Sequence, residues 1–444
     1  LRRNIVYQFL YELLIVFIPL FTIPYVSRVL GAENIGLFSY TYAVANYFVL
    51  FANLGIKNYG SRTNAMVRNN KEELNRNFSE ILSIHIIFSI IVIFVYLVLL
   101  FFFVEDNLVI FLIQSIYVFA AVFDINWFFF GIEKFKLTVG RNTLVKILSV
   151  FLVLVFVKTQ TDLWIYALIL ALSVFVGQSV VWFALKQYVS WRRPSWANMK
   201  QHIRPLFVLF LPILALSLYK YMDKIMLGSI SSNVQVGFYE NAEKIINVPM
   251  SLIMAFGVVL MPRIANMVTS KDKGEVFKLI DMSMEAVMLL AIAISFGLAG
   301  ISFVLAPIFF GYEFEECGIL IMGLAVTVPF MAFANVIRTQ YLIPYKEDKI
   351  FVVSLFLGAA VNLIVNIILI PYMAARGAVI GTIFAEIIVC IYQSYFVRKK
   401  IFIKKYLLNT IPPILIGIVM FVFVFQIGNV MNINIVTLIL QLLD

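Results

Sequence analysis

Residues 36–67, GLFSYTYAVANYFVLFANLGIKNYGSRTNAMV, lie over residues 237–268, GFYENAEKIINVPMSLIMAFGVVLMPRIANMV, at an offset of 201 without a gap. Gly36 falls on Gly237, Asn46 on Asn247, Arg62 on Arg263, and Met66-Val67 on Met267-Val268. Five identities in 32 positions carry little weight between two apolar helices. Here polar residues match in register, and the same Leu-Gly pair precedes each block, at Leu30-Gly31 and Leu227-Gly228. The chain reads as a duplication.

Composition says what is duplicated. The 444 residues are 63% hydrophobic and 13% charged, against about 45–50% and about 25% in a soluble domain. The apolar runs suit helices that cross ~30 Å of hydrocarbon, and the alternating pattern of membrane barrels is missing. The expected fold is an all-α polytopic membrane protein with fourteen spans, near 5–29, 36–56, 78–103, 108–130, 142–157, 163–185, 205–227, 237–260, 279–305, 317–343, 351–370, 377–397, 407–426 and 433–444. A repeat of six spans returns the chain to its starting side. The halves are therefore expected to be parallel, related by an axis along the membrane normal, with a central cavity between them. The expected divisions are a six-helix lobe over 1–186, an interfacial linker over 187–204, a second six-helix lobe over 205–400 and a helix pair over 401–444. The first apolar run is already a full span, so no cleavable signal peptide is expected. The chain opens on Leu1 and stops at Asp444 inside an apolar run, and both ends are expected to be trimmed. Pro19, Pro24, Pro212, Pro249 and Pro329 fall within spans and are expected to bend them.

A net charge of +10 raises the question of a nucleic-acid partner, and its distribution answers against one. Of the 34 Lys and Arg residues, 26 fall at the N-terminus and in the connections on its side, against Arg28, Lys158 and Arg376 opposite. That asymmetry puts the N-terminus in the cytoplasm, with the bacterial inner membrane as the expected location. The linker, LKQYVSWRRPSWANMKQHIRP, joins Trp191 and Trp196 to Arg192, Arg193 and Lys200, a composition suited to the inner interface.

Five cations remain, and Lys146, Lys220, Lys224, Lys244 and Arg338 all lie within spans. An ionisable group at membrane depth costs at least ~2.5–3.5 kcal/mol and needs a partner, a cavity or a task. Lys220 and Lys224 sit one turn apart with Asp223 beside them; Glu240, Glu243 and Lys244 share a broad face at similar depth on the next span. A second group comprises Asp124, Lys146, Arg338 and Glu12, while Glu386 lies nearest the midplane and Asn362 and Asn366 share one face of span 11. Ion pairing between helices is the plain account of each charge. Apolar residues would pack at lower desolvation cost, however, and two depth-separated groups suit a cavity closed alternately at each end. Ammonium groups are point donors suited to phosphate, so an anionic phosphorylated cargo is expected to meet Lys146, Lys220, Lys224, Lys244 and Arg338. Asp124, Asp223, Glu240 and Glu243 become gate or charge-partner positions, with Glu386 and Asp124 as candidate proton or sodium sites.

No metal site is expected, since neither His85 nor His202 has a Cys or second His nearby in sequence; Cys317 and Cys390 read as buried thiols. A phosphate-binding GxxxxGK[ST] loop is missing, and the connections leave no room for a soluble catalytic domain. A transporter, not an enzyme, is expected, without a cofactor beyond a coupling ion.

Several stretches together resemble a known family: IPYVSRVLGAENIGLFSYTYAVANYFVLFANLGIKNYGSR near the start, NWFFFGIEKFKLTVGRN (126–142), MDKIMLGSISSNVQVGFYENAEKI (222–245), VVLMPRIANM (258–267), and QYLIPYKEDKIFVVSLFLGAAVNLIVNIILIP with GAVIGTIFAEIIV (340–389). In this order, over roughly residues 4–400, they resemble Wzx-type flippases of lipid-linked oligosaccharide repeat units, within the multidrug/oligosaccharidyl-lipid/polysaccharide exporter superfamily. The resemblance implies a cationic cavity cycling between inward- and outward-open forms. It also implies an undecaprenyl-diphosphate oligosaccharide as cargo, for capsule, O-antigen or exopolysaccharide assembly, with polysaccharide assembly proteins as partners. On that view the five embedded cations engage the diphosphate. Arg62 and Arg263 are repeat-related gate or anchor positions, while Arg28, Gly31, Gly36, Gly228 and Gly237 serve turns and packing. A multidrug or cation antiporter of the same superfamily is the second reading, a lipid II flippase the third. A membrane-embedded polysaccharide polymerase is the reading from another class; it calls for a large outside loop that this chain lacks.

Overall fold

In this computed structural model, residues 2–269, 273–431 and 433–443 are described, apart from the side chains of residues 2–20 and a few later positions. Glu12 and, among the basic connections, Lys271 and the side chain of Lys273 lie outside that description. Every described element is helical. The chain runs through α1 (Arg2–Asn53), α2 (Ile56–Val67), α3 (Lys71–Phe103), α4 (Leu108–Val122), α5 (Asn126–Gly131), α6 (Phe135–Phe156), α7 (Leu163–Leu185) and α8 (Trp196–Ile230). It continues through α9 (Asn233–Thr269), α10 (Lys273–Phe310), α11 (Cys317–Ala325), α12 (Thr327–Ile337), a π-helical turn (Arg338–Leu342), α13 (Asp348–Met373), α14 (Ala375–Val397), α15 (Ile403–Val430) and α16 (Ile435–Leu443).

Twelve stretches of the described residues are long and apolar enough to cross a membrane, which makes this a multi-pass membrane protein. Outward-facing Ile90, Phe94, Phe101 and Phe102 on α3 are 58–82% exposed; such a surface belongs in lipid, not water. α1 is two helices divided by a kink at Gly31 (φ 76, ψ 171). α16 has nine residues, a rise of about 13 Å, so the stretch expected as the fourteenth span is a short helix.

Two expected spans prove to be broken, each for a local reason. Span 108–130 becomes α4 and α5 because the Asp124 carboxylate accepts the backbone N–H of Asn126 at 3.0 Å and its side-chain amide at 2.7 Å, a turn that competes with the helix ladder. Span 317–343 divides at Val326. Pro329 there leaves the carbonyl of Ala325 without its helical donor, and the Ser295 hydroxyl of α10 donates to it at 2.7 Å. α8 and α9, by contrast, continue through Pro212 and Pro249.

By internal contacts the chain forms two units: residues 1–30 with 37–221, and residues 31–36 with 222–444. The core of the first is aromatic, with Phe78 stacked 5.5 Å from Trp127 and edge-on at 4.8 Å to Phe128, packed with Ile81 and Leu206. In the second, Ile301, Val304, Val424 and Leu438 join α10, α15 and α16. The short segment 31–36 belongs to the second unit through a backbone contact. A Cβ added to Gly36 would lie 2.8 Å from the nitrogen of Gly237, and one added to Gly237 would lie 3.2 Å from the nitrogen of Gly36. The glycines that head the two copies of the repeat touch each other.

Candidate functional site

Within the second unit, the end of α8 from Met222 joins α9, α13 and α14 in bringing polar side chains into an otherwise apolar interior. Asp223 is 4% exposed. Its Oδ2 accepts from the Tyr239 hydroxyl at 2.6 Å and from the Thr382 hydroxyl at 3.0 Å, while Oδ1 accepts from the Asn366 amide at 2.5 Å. The same Asn366 amide reaches Asn362 Oδ1 at 3.1 Å, and its own Oδ1 is buried without a hydrogen-bond partner. Thr382 Oγ1 also lies 3.0 Å from the carbonyl of Ala378 and 3.0 Å from the Tyr239 hydroxyl. Gly381 makes the close approach of α13 and α14 feasible, because a Cβ there would collide with Asn366 Oδ1. The result is one buried carboxylate whose two oxygens are met by two hydroxyls and one amide N–H. Among the described residues no group of three His, Cys, Asp or Glu side chains is arranged to hold a metal.

Next to it stands a second cluster of different character. Lys224 Nζ lies 2.6 Å from Glu240 and 2.8 Å from Glu243, and Lys244 Nζ lies 3.1 Å from Glu240. Two ammonium groups meet two carboxylates, so the cluster is neutral as a whole. Lys224 is 8% exposed, as a buried charge must be paired to be tolerated. Although Asp223 and Lys224 are neighbours in sequence, their side chains serve separate clusters.

The other expected site residues are dispersed. Arg338 opens the π-helical turn, with its guanidinium 5.5 Å from the Phe351 ring. Glu386 on α14 is 8% exposed, within electrostatic range of Arg338 and with no ion pair inside 4 Å among the described residues. π-turns inside helices recur at functional positions. In the first unit, Lys220 is exposed with its ammonium 5.3 Å over the Tyr221 ring, and Lys146 is exposed on α6. Arg62 on α2 and Arg263 on α9 are both exposed. Asp124 belongs to a chain in which Asn126 donates to Gln178 Oε1 at 2.8 Å, and Arg141 donates to Asn126 at 3.1 Å and to the carbonyl of Gly177 at 2.7 Å.

Sequence reasoning brought out Asn362 and Asn366 by their spacing but missed Tyr239 and Thr382, which complete the Asp223 ring. A tyrosine and a threonine in apolar helices carry no charge to mark them. Arg141 was assigned to a connection, whereas α6 begins at Phe135 and carries it inside the helix.

An apolar cavity of about 440 Å³ completes the second unit. Met288, Ile292 and Phe296 of α10, Phe330 and Phe333 of α12 and Ile414 of α15 line it, with the Cys390 thiol, one turn beyond Glu386, on its wall. α15 is tied to α10 by Lys405, 2.9 Å from Asp281, and by the Asn409 amide, which donates to Glu285 at 2.9 Å.

Known proteins resemble this chain over most of its length. The sequence profile described as polysaccharide biosynthesis protein matches residues 1–268. A putative O-antigen transporter of Shigella dysenteriae is 24% identical over 409 residues, covering 88% of this chain and 99% of that protein. A putative O-antigen transporter of Escherichia coli (strain K12) is 25% identical over 407 residues, covering 90% and 97%. Among solved structures, the lipid II flippase MurJ in an inward closed conformation superposes with a TM-score of 0.73 at 16% identity, covering 100% of this chain and 96% of that one. An inward-facing multidrug resistance MATE family transporter gives a TM-score of 0.65 at 13% identity, covering 88% and 97%. These two likenesses establish the fold.

Proposed function

The chain belongs to the polysaccharide biosynthesis protein family, and from that membership we propose that it is a transporter, without enzymatic activity, that flips lipid-linked oligosaccharide repeat units across a membrane. The observation that carries the reading is the near full-length match to two O-antigen transporters. The cargo is an undecaprenyl-diphosphate oligosaccharide, carried from the cytoplasmic to the outer leaflet of the bacterial inner membrane. The N-terminus lies in the cytoplasm, as the basic connections require.

The geometry ranks the cations for that task. Lys224 and Lys244 are engaged by Glu240 and Glu243, so they hold α8 to α9 before they meet any cargo. Arg338 has no carboxylate within 4 Å among the described residues, and a guanidinium is the side chain best shaped for a diphosphate. It is the leading phosphate ligand in the second unit; of the five cations expected within spans, Lys146 and Lys220 are exposed in the first. The apolar cavity beside α15 suits part of the isoprenoid chain. The Asp223 cluster is the coupling site for a proton or an alkali cation, ahead of Glu386 and Asp124, because two hydroxyls and an amide converge there on one buried carboxylate.

The deciding experiment follows a fluorescent undecaprenyl-diphosphate oligosaccharide in proteoliposomes, scored by protection from a membrane-impermeant quencher. Wild type is expected to move the lipid and Arg338→Gln to slow it at least about tenfold, as loss of a charged hydrogen-bonding partner does. No movement by wild type with several oligosaccharides, alongside ion-driven efflux of organic cations, would replace the flippase by the antiporter.

A further inference from the structure

The linker before α8 is not a loose tether. Asn75 and Ser79, one turn apart on α3, accept the backbone N–H groups of Ser190 and Arg192, each at 2.9 Å. Glu80, 2% exposed, accepts from the Asn198 amide at 3.0 Å and lies 2.9 Å from Nε2 of His202, whose Nδ1 lies 2.7 Å from the Tyr59 hydroxyl. A neutral imidazole satisfies both contacts, donating from Nε2 to the carboxylate and accepting at Nδ1 from the phenol. Val189 and Met199 enter the apolar core of the first unit. One face of residues 189–202 is thereby fixed to α3.

The opposite face is left outward. Trp191 is 55% exposed and Trp196 59%. Residues 186–204 hold Lys186, Arg192, Arg193, Lys200 and Arg204 without one Asp or Glu. Arg192 makes a loose pair with Glu72 at 3.6 Å, and Lys200 lies 6.0 Å over the Trp196 ring. Indoles settle at the headgroup level of a bilayer, and clustered cations there attract anionic lipid. Cations shown on a fixed backbone lose little freedom when they bind, which distinguishes a built site from a flexible basic tail.

We propose that this ledge is a binding site for the phosphate headgroups of anionic phospholipids, separate from the cargo path. The proposal rests on the reading that puts the linker at the cytoplasmic membrane face, but not on the identity of the cargo. A run of three cations, Arg398, Lys399 and Lys400, follows α14 without flanking exposed tryptophans, and serves as the comparison for Arg192, Arg193 and Lys200.

The test measures retention of phosphatidylglycerol and phosphatidylcholine by the purified full chain in native mass spectrometry, with no cargo present. Wild type is expected to hold phosphatidylglycerol in preference. Arg192→Gln/Arg193→Gln/Lys200→Gln is expected to weaken that binding at least about tenfold, on the known attraction of each cation near an anionic surface, while Arg398→Gln/Lys399→Gln/Lys400→Gln weakens it far less. Arg193→Gln alone, at an exposed position, repeats the test in the same direction if the triple variant fails to fold. Equal retention of the two lipids by wild type, or equal losses in both triple variants, overturns the proposal. Failure of the flipping assay with selective lipid retention intact would count against the function and leave the ledge standing.

Discussion

The two copies of the repeat follow different paths through the same length of chain. In the first, α1 ends at Asn53, the backbone turns through Leu54 (φ 36) and Gly55 (φ 73), and α2 starts afresh at Ile56. In the second, α9 runs unbroken from Asn233 to Thr269 through the aligned Ala255 and Phe256. Gly55 accepts a left-handed backbone that Phe256 would adopt only at a cost. A Cβ at Gly55 would also lie 2.9 Å from the carbonyl of Leu206, where α8 packs. The polar loads differ as well. Residues 36–53 hold Tyr, Thr, Ser and Asn but no charge, whereas the aligned stretch holds Glu240, Glu243 and Lys244. The two aligned stretches share a glycine contact at their heads and differ in both path and chemistry below it.

The largest expected effect falls on what the copies share. Gly36→Ala and Gly237→Ala each drive a methyl into backbone, against Asn233 and Ala32 respectively. Each is expected to abolish the monodisperse peak in fluorescence-detected size exclusion; a normal peak from both would remove the glycine contact from the account.

The next effect falls on the charged copy. Lys224→Ala leaves the partly buried Glu240 and Glu243 with Lys244 alone to oppose them, and should cost about 3–5 kcal/mol of stability. Lys244, whose side chain is 33% exposed, should cost less than about 1 kcal/mol as Lys244→Ala. Thermal unfolding in detergent separates the two, and Lys224→Ala/Glu243→Ala should recover part of the larger loss. Equal small losses would return these lysines to the cargo.

The smallest effect tests the path. Gly55→Ala should cost about 1–2 kcal/mol for its left-handed backbone, and Phe256→Gly about 1 kcal/mol plus lost packing. If Gly55→Ala is neutral in the same unfolding assay, the break between α1 and α2 does not depend on the glycine.

Much of this architecture is local in origin and was legible in the sequence. An apolar run of sufficient length forms a helix that satisfies its own backbone in lipid, so the positions of most spans could be read directly. Gly36 and Gly237, expected to serve turns and packing, do touch each other. The breaks at Asp124 and Val326 were less legible, because each depends on whether a side chain captures a backbone group: Asn126 by Asp124, Ala325 by Ser295.

The charged site needed the tertiary structure. Adjacent residues on a helix point about 100° apart, so Asp223 and Lys224 could not be assigned partners until α9, α13 and α14 were arranged around α8. That arrangement sends Lys224 to Glu240 and Glu243 and Asp223 to Tyr239, Asn366 and Thr382. The sequence by itself determined that charges would be buried and needed partners, since hydrocarbon penalises them wherever they stand. Which charge is neutralised within the protein, and by which partner, was decided only by the helices packed against each one.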